Sequence, residues 1–505
     1  MDITRKKSVD DVIHQNDEDP GAADEHGGSL RKSLGVWDLI GFGIGIVIGT
    51  GIFTLTGVQA KNNAGPAIVI SFLIAGAVSL LAALCYAELA AAVPTAGSSY
   101  TYAYTTIGEI FAWIIAWDLI LEFALGAAVV ARGWSGYIAG VFNLPSKWFA
   151  EEGSVVNVGA IFITLVLGYV ALRGIRESKW VTNGLVAIKV IVCIFVIAVG
   201  AFYVKTKNWV PFIPPAQPAK SSGAELTAPL WQFLTGVTPS QYGIAGVLVA
   251  SAVVFFAYSG FEAVANLGEE TKKPARDMPL GLLGTLGICT LLYVGVCLVM
   301  TGMVNYRDLS EADAVADVFH QVGVGWAGIL IGIAAVAGLS SVILVDIIAM
   351  GRIGFALARD GLLPPIFRKV HPSWGTPVLM TALTIATVAI LAGFVPISVL
   401  AEMVSIGTLF AFVVVSIAVV VLRRTQPDMK RPFRTPLVPF VPILATACCL
   451  ALMASLAVET WIRFLVWLAI GLLVYFFYGR KHARLATPDL AGELTQEGTV
   501  PGSPQ

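Results

Sequence analysis

The stretch GIGIVIGTGIF, Gly43 to Phe53, places four glycines among eleven residues inside an apolar run long enough to cross a bilayer. Each glycine weakens a helix by roughly 1 kcal/mol relative to alanine. A spanning segment that concentrates this handicap leaves the regular helix at that point. About 210 residues later, VVFFAYSGFEAV (Val253 to Val264) interrupts another apolar run with Ser259, Gly260 and Glu262. Unwinding a helix at mid-membrane frees N–H and C=O groups that find no partner in lipid. Half-helix N-termini then face a carboxylate, and freed carbonyls face an ammonium. The other reading of the glycines is close helix packing, since GIVIG (Gly45 to Gly49) also has small-xxx-small spacing. Two matched interruptions favour a binding site between inverted repeats.

Composition sets the class. The chain of 505 residues is 57% hydrophobic and 13% charged, with a mean hydropathy of +0.80. Soluble domains carry about 25% charged residues, so most of this chain cannot face water. A net charge of −1 argues against a nucleic-acid partner. The six cysteines fall in apolar runs without metal-ligand or disulfide spacing and read as small core residues. None of the five histidines lies inside an apolar run, which counts against a histidine proton relay. No metal or cofactor site is expected.

A spanning helix needs about 20 mostly apolar residues. Twelve runs qualify, near 37–61, 65–93, 109–141, 155–173, 180–204, 243–268, 280–304, 323–351, 376–395, 397–422, 437–459 and 461–479. The expected fold is an all-α integral membrane bundle embedded in the lipid bilayer. It divides into a polar cytoplasmic tail (1–33), a ten-helix core (34–422), a basic linker with two further helices (423–484) and a second polar tail (485–505). Of the 32 Lys and Arg, 22 fall on the side of the two termini and 7 on the other. Arg132 and Lys189 sit inside runs, and Arg352 lies just past the end of the eighth. The positive-inside rule then places both termini in the cytoplasm. Residues 205–240 and 305–322 read as external loops, and 424–442, with five prolines, as a stiff internal linker.

The motifs GIGIVIGTGIFTLTG, AGPA, YAELAAAVPTAGSSYTYAY, FFAYSGFEAVANLGEETKKPARDMP and ALARDGLLP follow one another from about residue 34 onward. In this order the chain resembles the amino acid–polyamine–organocation superfamily, and within it the cationic amino acid transporter subfamily. The resemblance implies a five-plus-five inverted repeat with broken helices 1 and 6, two extra C-terminal helices, and alternating access. It also implies that the two breaks hold the α-carboxylate and α-amine of an amino acid. Carried onto this chain, those positions are Ile48, Thr50 and Gly51 in the first run, and Phe256, Ala257 and Ser259 in the sixth.

Charges within the runs are the remaining candidates. Lys189, in VAIKVIVC, costs about 2.5–3.5 kcal/mol to insert. The resemblance implies that a lysine here replaces a sodium ion beside the unwound first helix and couples transport to protons. Burial disfavours the charged ammonium, which makes switching by deprotonation feasible; the alternative is a static strut for the kink. Glu122 lies one turn from Asp118 on the same face of the third run. It is read as a second proton carrier or a contact for the substrate ammonium, against a hydrogen-bonded structural carboxyl. Asp118 is unassigned. Asp346, in SSVILVDIIAMGR, is the lone charge between His320 and Arg352. Facing the side-chain pocket it would pair with a cationic substrate; the alternatives are ion pairs with Lys189 or Arg352. Glu88, Glu262, Glu269, Glu270 and Arg352, near run ends, read as gate or loop-anchoring groups, and Tyr100, Tyr102 and Tyr104 as interface or packing residues.

The functional expectation is a permease of the cell membrane importing cationic amino acids with protons. A neutral amino acid carrier or exchanger is one alternative, and a non-transporting sensor another. No run carries a nucleophile with a base partner, which counts against an enzyme.

Overall fold

A computed structural model describes residues 5, 32–93, 98–149, 156–174, 179–218, 225–238, 240–268, 270–371 and 373–483. The expected tails lie outside the described residues apart from Arg5, Lys32 and Ser33, and so does Glu269.

Each of the twelve apolar runs holds a helix. Helix α1 is in two parts: Val36–Val47, then Gly51–Leu55, Thr56–Gln59 and Ala60–Ala64. It is followed by α2 (Ile68–Ala92), α3 (Glu109–Phe142), α4 (Val158–Leu172) and α5 (Lys179–Gly200). Helix α6 runs through Gly243–Val254 and Phe255–Tyr258, then resumes at Phe261–Leu267. The series continues with α7 (Pro274–Met303), α8 (Gly325–Arg359), α9 (Val378–Phe394), α10 (Ile397–Thr425), α11 (Phe440–Ala454) and α12 (Val458–Val474). Among the described residues, eight helical stretches are long and apolar enough to cross a membrane. Four shorter apolar helices (Val36–Val47, α4, α9 and α11) accompany them.

The boundaries depart from the apolar runs where polar residues extend a helix. Helix α7 starts six residues before its apolar run, because Pro274 occupies the first turn, where its missing N–H costs nothing. Helix α8 continues past the apolar stretch to Arg359. Helix also forms outside the runs, in Ser98–Thr106 before α3, Ser146–Phe149 after it, Leu230–Thr235 of the 205–240 connection and Ala314–Gln321 before α8. The last is short and amphipathic, with five buried residues on one face. The long 205–240 connection folds back on itself through β1 (Gln217–Pro218) and β2 (Ser240–Gln241), paired antiparallel.

Packing follows a consistent scheme. Helices pair five apart: α2 with α7, α3 with α8, and α4 with α9. Other contacts come in corresponding couples. The first part of α1 packs on α7 and α6 on α2; α5 packs on α8 and α10 on α3; α5 packs on α7 and α10 on α2. Helix α12 docks on α3 through stacked indoles. Trp117 and Trp467 lie 4.6 Å apart, and each N–H donates to the other's carbonyl, at 2.9 and 3.1 Å.

The basic linker is held from below. Glu88, on α2 and fully buried, accepts from Arg423 at 2.7 and 3.0 Å and from the Thr435 N–H at 2.7 Å. Arg431 stands 3.5 Å away. Glu88 is thus an anchoring group. The backbone at Glu270 plays a similar part, accepting from Ser33 and Leu34 N–H at 2.9 and 3.0 Å. Tyr100 and Tyr104 are buried, bonded to Asp360 and Glu109 respectively. They are packing residues rather than membrane-interface ones.

Candidate functional site

The glycine-rich stretch does leave the helix. Ile48 is extended (φ −75°, ψ 96°), and the chain resumes with loose π-type turns from Gly51 to Leu55, a winding frequent at functional sites. In α6, Ser259 is extended and Gly260 is left-handed (φ +98°), a conformation that favours glycine. The two interruptions touch. A Cβ on Gly51 would lie 2.4 Å from the Ala257 Cα, so the absence of a side chain at residue 51 lets α1 and α6 cross here.

Between them lies a cavity of about 40 Å³, space for a few water molecules. Its wall is made by Ile46, Val47, Gly49, Thr50 and Gly51 of α1; Phe256, Ala257, Ser259 and Gly260 of α6; Glu122, Phe123, Gly126 and Val130 of α3; Val342 and Asp346 of α8; and Val404 of α10. Of the residues singled out from the sequence, Thr50, Gly51, Phe256, Ala257, Ser259, Glu122 and Asp346 therefore meet at one place. Ile48 does not line it: its side chain is buried, and its contribution is the extended backbone. Lys189 stands behind the wall, 1% exposed, with Nζ donating to the Gly45 carbonyl at 2.6 Å.

Three polar groups at the cavity stand out. Thr50 is fully buried and its hydroxyl has no hydrogen-bond partner among the described residues. Glu122 Oε1 accepts from Ser259 Oγ at 2.6 Å and from Thr408 Oγ1 at 2.8 Å, so this carboxyl pins α3 to the break in α6 and to α10. Glu262, beyond the break, accepts from the Gly260 N–H with both oxygens at 3.1 Å. Asp346 is 7% exposed, and its carboxylate makes no hydrogen bond or ion pair among the described residues. A Cβ on Gly126 would lie 3.2 Å from its Oδ2. Of the two alternative partners for Asp346, Lys189 acts on its carboxyl by charge, and Arg352 is on the exposed side of α8. Asp118 is fully buried off the cavity against Gly407, its oxygens without hydrogen-bond partners among the described residues.

Tyr293 was not foreseen as part of the site. Its hydroxyl bonds the Val47 carbonyl at 2.7 Å and the Ala257 carbonyl at 3.0 Å, one on each broken helix. Gly126, Val130 and Val342 were missed as well. A signal for them existed: Glu122, Gly126 and Val130 recur every four residues on α3, as Val342 and Asp346 do on α8, so each set shares a helix face. Among the described residues no group of acids, histidines and cysteines could hold a metal ion.

An apolar helical bundle with two helices opened side by side around a small cavity, into which Thr50, Ser259, Glu122 and Asp346 bring polar groups, is the arrangement expected of a membrane carrier of small solutes. A family model described as amino acid permease matches residues 34–477. The chain belongs to that family, and is a transporter rather than an enzyme. It is 43% identical over 466 residues to a methylthioribose transporter of Bacillus subtilis, covering 90% of this chain and 95% of the relative. It is also 43% identical over 495 residues to the branched-chain amino acid permease BcaP of the same species, covering 96% and 99%. Identity to the vacuolar cationic amino acid transporter 8 of Arabidopsis thaliana is 30% over 539 residues, covering 94% and 86%.

Proposed function

We propose that this permease imports cationic amino acids together with protons, by alternating access across the cytoplasmic membrane. The observation that carries the substrate class is Asp346, a buried carboxyl at the cavity wall that makes no hydrogen bond or ion pair among the described residues, with the Lys189 charge acting on it only from a distance. A buried charge lacking a partner is strongly destabilising. The ammonium or guanidinium of lysine, arginine or ornithine supplies one, while a neutral side chain leaves the acid uncompensated.

The α-carboxylate is assigned to the start of the second part of α1, where the Thr50 and Gly51 amides and the Thr50 hydroxyl meet the favourable end of the helix dipole. The α-ammonium is assigned to the carbonyl ends around the breaks and to Ser259. Lys189 is proposed as the coupling group, because its ammonium bonds the backbone just before the break in α1. Loss of its proton would strip the charge assistance from the bond to the Gly45 carbonyl and, by weakening it, let the two parts of α1 move. Glu122 is proposed as a second proton carrier, tied to the break in α6 through Ser259.

Twelve crossings in a five-plus-five arrangement are part of the same reading. What supports the repeat is the pairing of helices five apart and the corresponding couples of contacts. An odd number of crossings per repeat makes the second repeat start from the opposite face. With both termini cytoplasmic, a positive substrate and a proton each gain about 2.3 kcal/mol per 100 mV on entering.

A second reading, a carrier of neutral amino acids, draws on the identity to a relative named as a branched-chain permease. One experiment separates the two. Radiolabelled uptake into proteoliposomes is measured with arginine, lysine, leucine and alanine as competitors, with and without an imposed proton gradient. Arginine and lysine competing best, with uptake driven by outside acidification, supports the proposal. Leucine competing better than arginine overturns the cationic assignment, and binding without accumulation overturns transport.

A further inference from the structure

We infer that Tyr293 is a positioning residue for substrate stereochemistry: its hydroxyl ties the two broken helices together and fixes their binding groups relative to one another. The inference rests on the reading that the breaks in α1 and α6 hold the α-carboxylate and α-ammonium of an amino acid.

Tyr293 lies on α7 and is fully buried. A phenol has one proton to donate, yet carbonyls stand on two sides of it, Val47 O at 2.7 Å and Ala257 O at 3.0 Å. Both are acceptors, so the proton is shared in a three-centre bond. Val47 is the last residue of the first part of α1; Ala257 lies two residues before the extended Ser259. The bond therefore spans the two unwound segments at the level where each loses its regular turn. The ring cannot swing away, since Phe72 and Tyr258 hold it in edge contacts with centroids 5.5 and 5.4 Å off. Where the helices touch directly, at Gly51 and Ala257, contact limits how close they come. The hydroxyl limits how far they part.

Recognition of chirality depends on this separation. An L-amino acid and its mirror image carry the same carboxylate, ammonium and side chain; only a site with three subsites at fixed mutual positions tells them apart. Here those subsites stand on α1, α6 and α8. Loosening α1 against α6 lets the ammonium of the D-form find carbonyls that the rigid site denies it.

The test uses the full-length protein in proteoliposomes. The inhibition constants of the L- and D-forms of arginine, and separately of leucine, are measured against whichever labelled L-form the unmodified protein takes up. Two pairs keep the result independent of the cationic assignment. Tyr293→Phe is expected to lower the D-to-L ratio at least fivefold. Tyr86→Phe, which also removes a buried tyrosine hydroxyl bond (to Ser99, 2.8 Å), is expected to leave it as in the unmodified protein. An unchanged ratio in Tyr293→Phe overturns the inference, and so does an equal drop in both variants. Should Tyr293→Phe not be recovered folded, Phe72→Leu frees the ring while keeping the hydroxyl; a preserved ratio there also overturns it. An unmodified protein that does not distinguish the enantiomers refutes instead the reading of the two breaks as amino acid subsites.

Discussion

Lys189 on α5 and Gly45 on α1 are joined by a 2.6 Å hydrogen bond from ammonium to backbone carbonyl. The bond lies three residues before the chain turns extended at Ile48. Helix α10 offers a counterpart in Ser405, which bonds the Val253 carbonyl of α6 at 3.2 Å. Of the two donors only the lysine can gain and lose a charge. Room for it comes from Gly338 on α8, where a Cβ would sit 2.8 Å from the Lys189 chain. Lys189→Ala removes the donor and the switch together. The expected outcome is that outside acidification no longer drives accumulation, while exchange of external for internal substrate persists at a reduced rate. Gradient-driven accumulation retained in this variant, measured in proteoliposomes, rules out the coupling role and leaves Lys189 as a strut.

Asp346→Asn keeps the shape of the side chain and removes its charge. Hydrogen bonds to charged groups contribute about 1.5–3 kcal/mol, so affinity for arginine should fall by roughly 10- to 150-fold. If Asp346 reads the cationic side chain, alanine and leucine have no use for that charge, and their uptake should hold or rise. The measured quantity is the ratio of arginine to alanine uptake at matched protein density. Equal losses for both would place Asp346 in the framework instead of the specificity pocket.

Glu88 makes a prediction about stability alone. It is fully buried and binds Arg423, Arg431 and the Thr435 amide at once, and it does not line the cavity. Removing one member of a buried pair costs about 3–5 kcal/mol because it strands the other. Glu88→Ala should lower the thermal midpoint in detergent substantially, and the protein that remains folded should keep its order of substrate preference. A changed order would mean that the linker reaches the site.

The sequence made the breaks legible because their signature is compositional. Glycine clusters at residues 43–51, and Ser259 with Gly260 splits an apolar run, so the two breaks were placed before any geometry was known; within them the family resemblance singled out Thr50, Gly51, Phe256, Ala257 and Ser259. Charges in lipid carry a comparable signal, which is why Glu122 and Asp346 were found at the cavity. Tyr293 was hidden for the opposite reason. A tyrosine in an apolar helix looks like packing, and its partners here are carbonyls, which every residue possesses. The Ser98–Thr106 and Ala314–Gln321 helices were missed because each is shorter than three turns and lies in polar sequence between spans. Ile48 shows a further limit: the resemblance marked it as a binding position, but its side chain is buried off the cavity and what it brings there is extended backbone.

Gly51 is where fold and function press hardest on one atom. A Cβ there would lie 2.4 Å from both the Cα and Cβ of Ala257, and the backbone on that side cannot yield as a flexible side chain can. Overpacking of this kind costs about 1–3 kcal/mol, and relief requires α1 and α6 to part. Gly51→Ala should therefore weaken substrate binding at least tenfold, beyond its effect on stability. Gly41→Ala is the control on the same helix, since a Cβ at Gly41 meets nothing within 4 Å. There the gain in helix propensity, up to about 1 kcal/mol, should leave uptake intact and raise the thermal midpoint slightly. Ala257→Gly combined with Gly51→Ala removes the facing methyl and should recover part of the lost binding. Absence of any recovery, with Gly51→Ala still inactive, would show that residue 51 acts through the flexibility of α1 and not through its contact with α6.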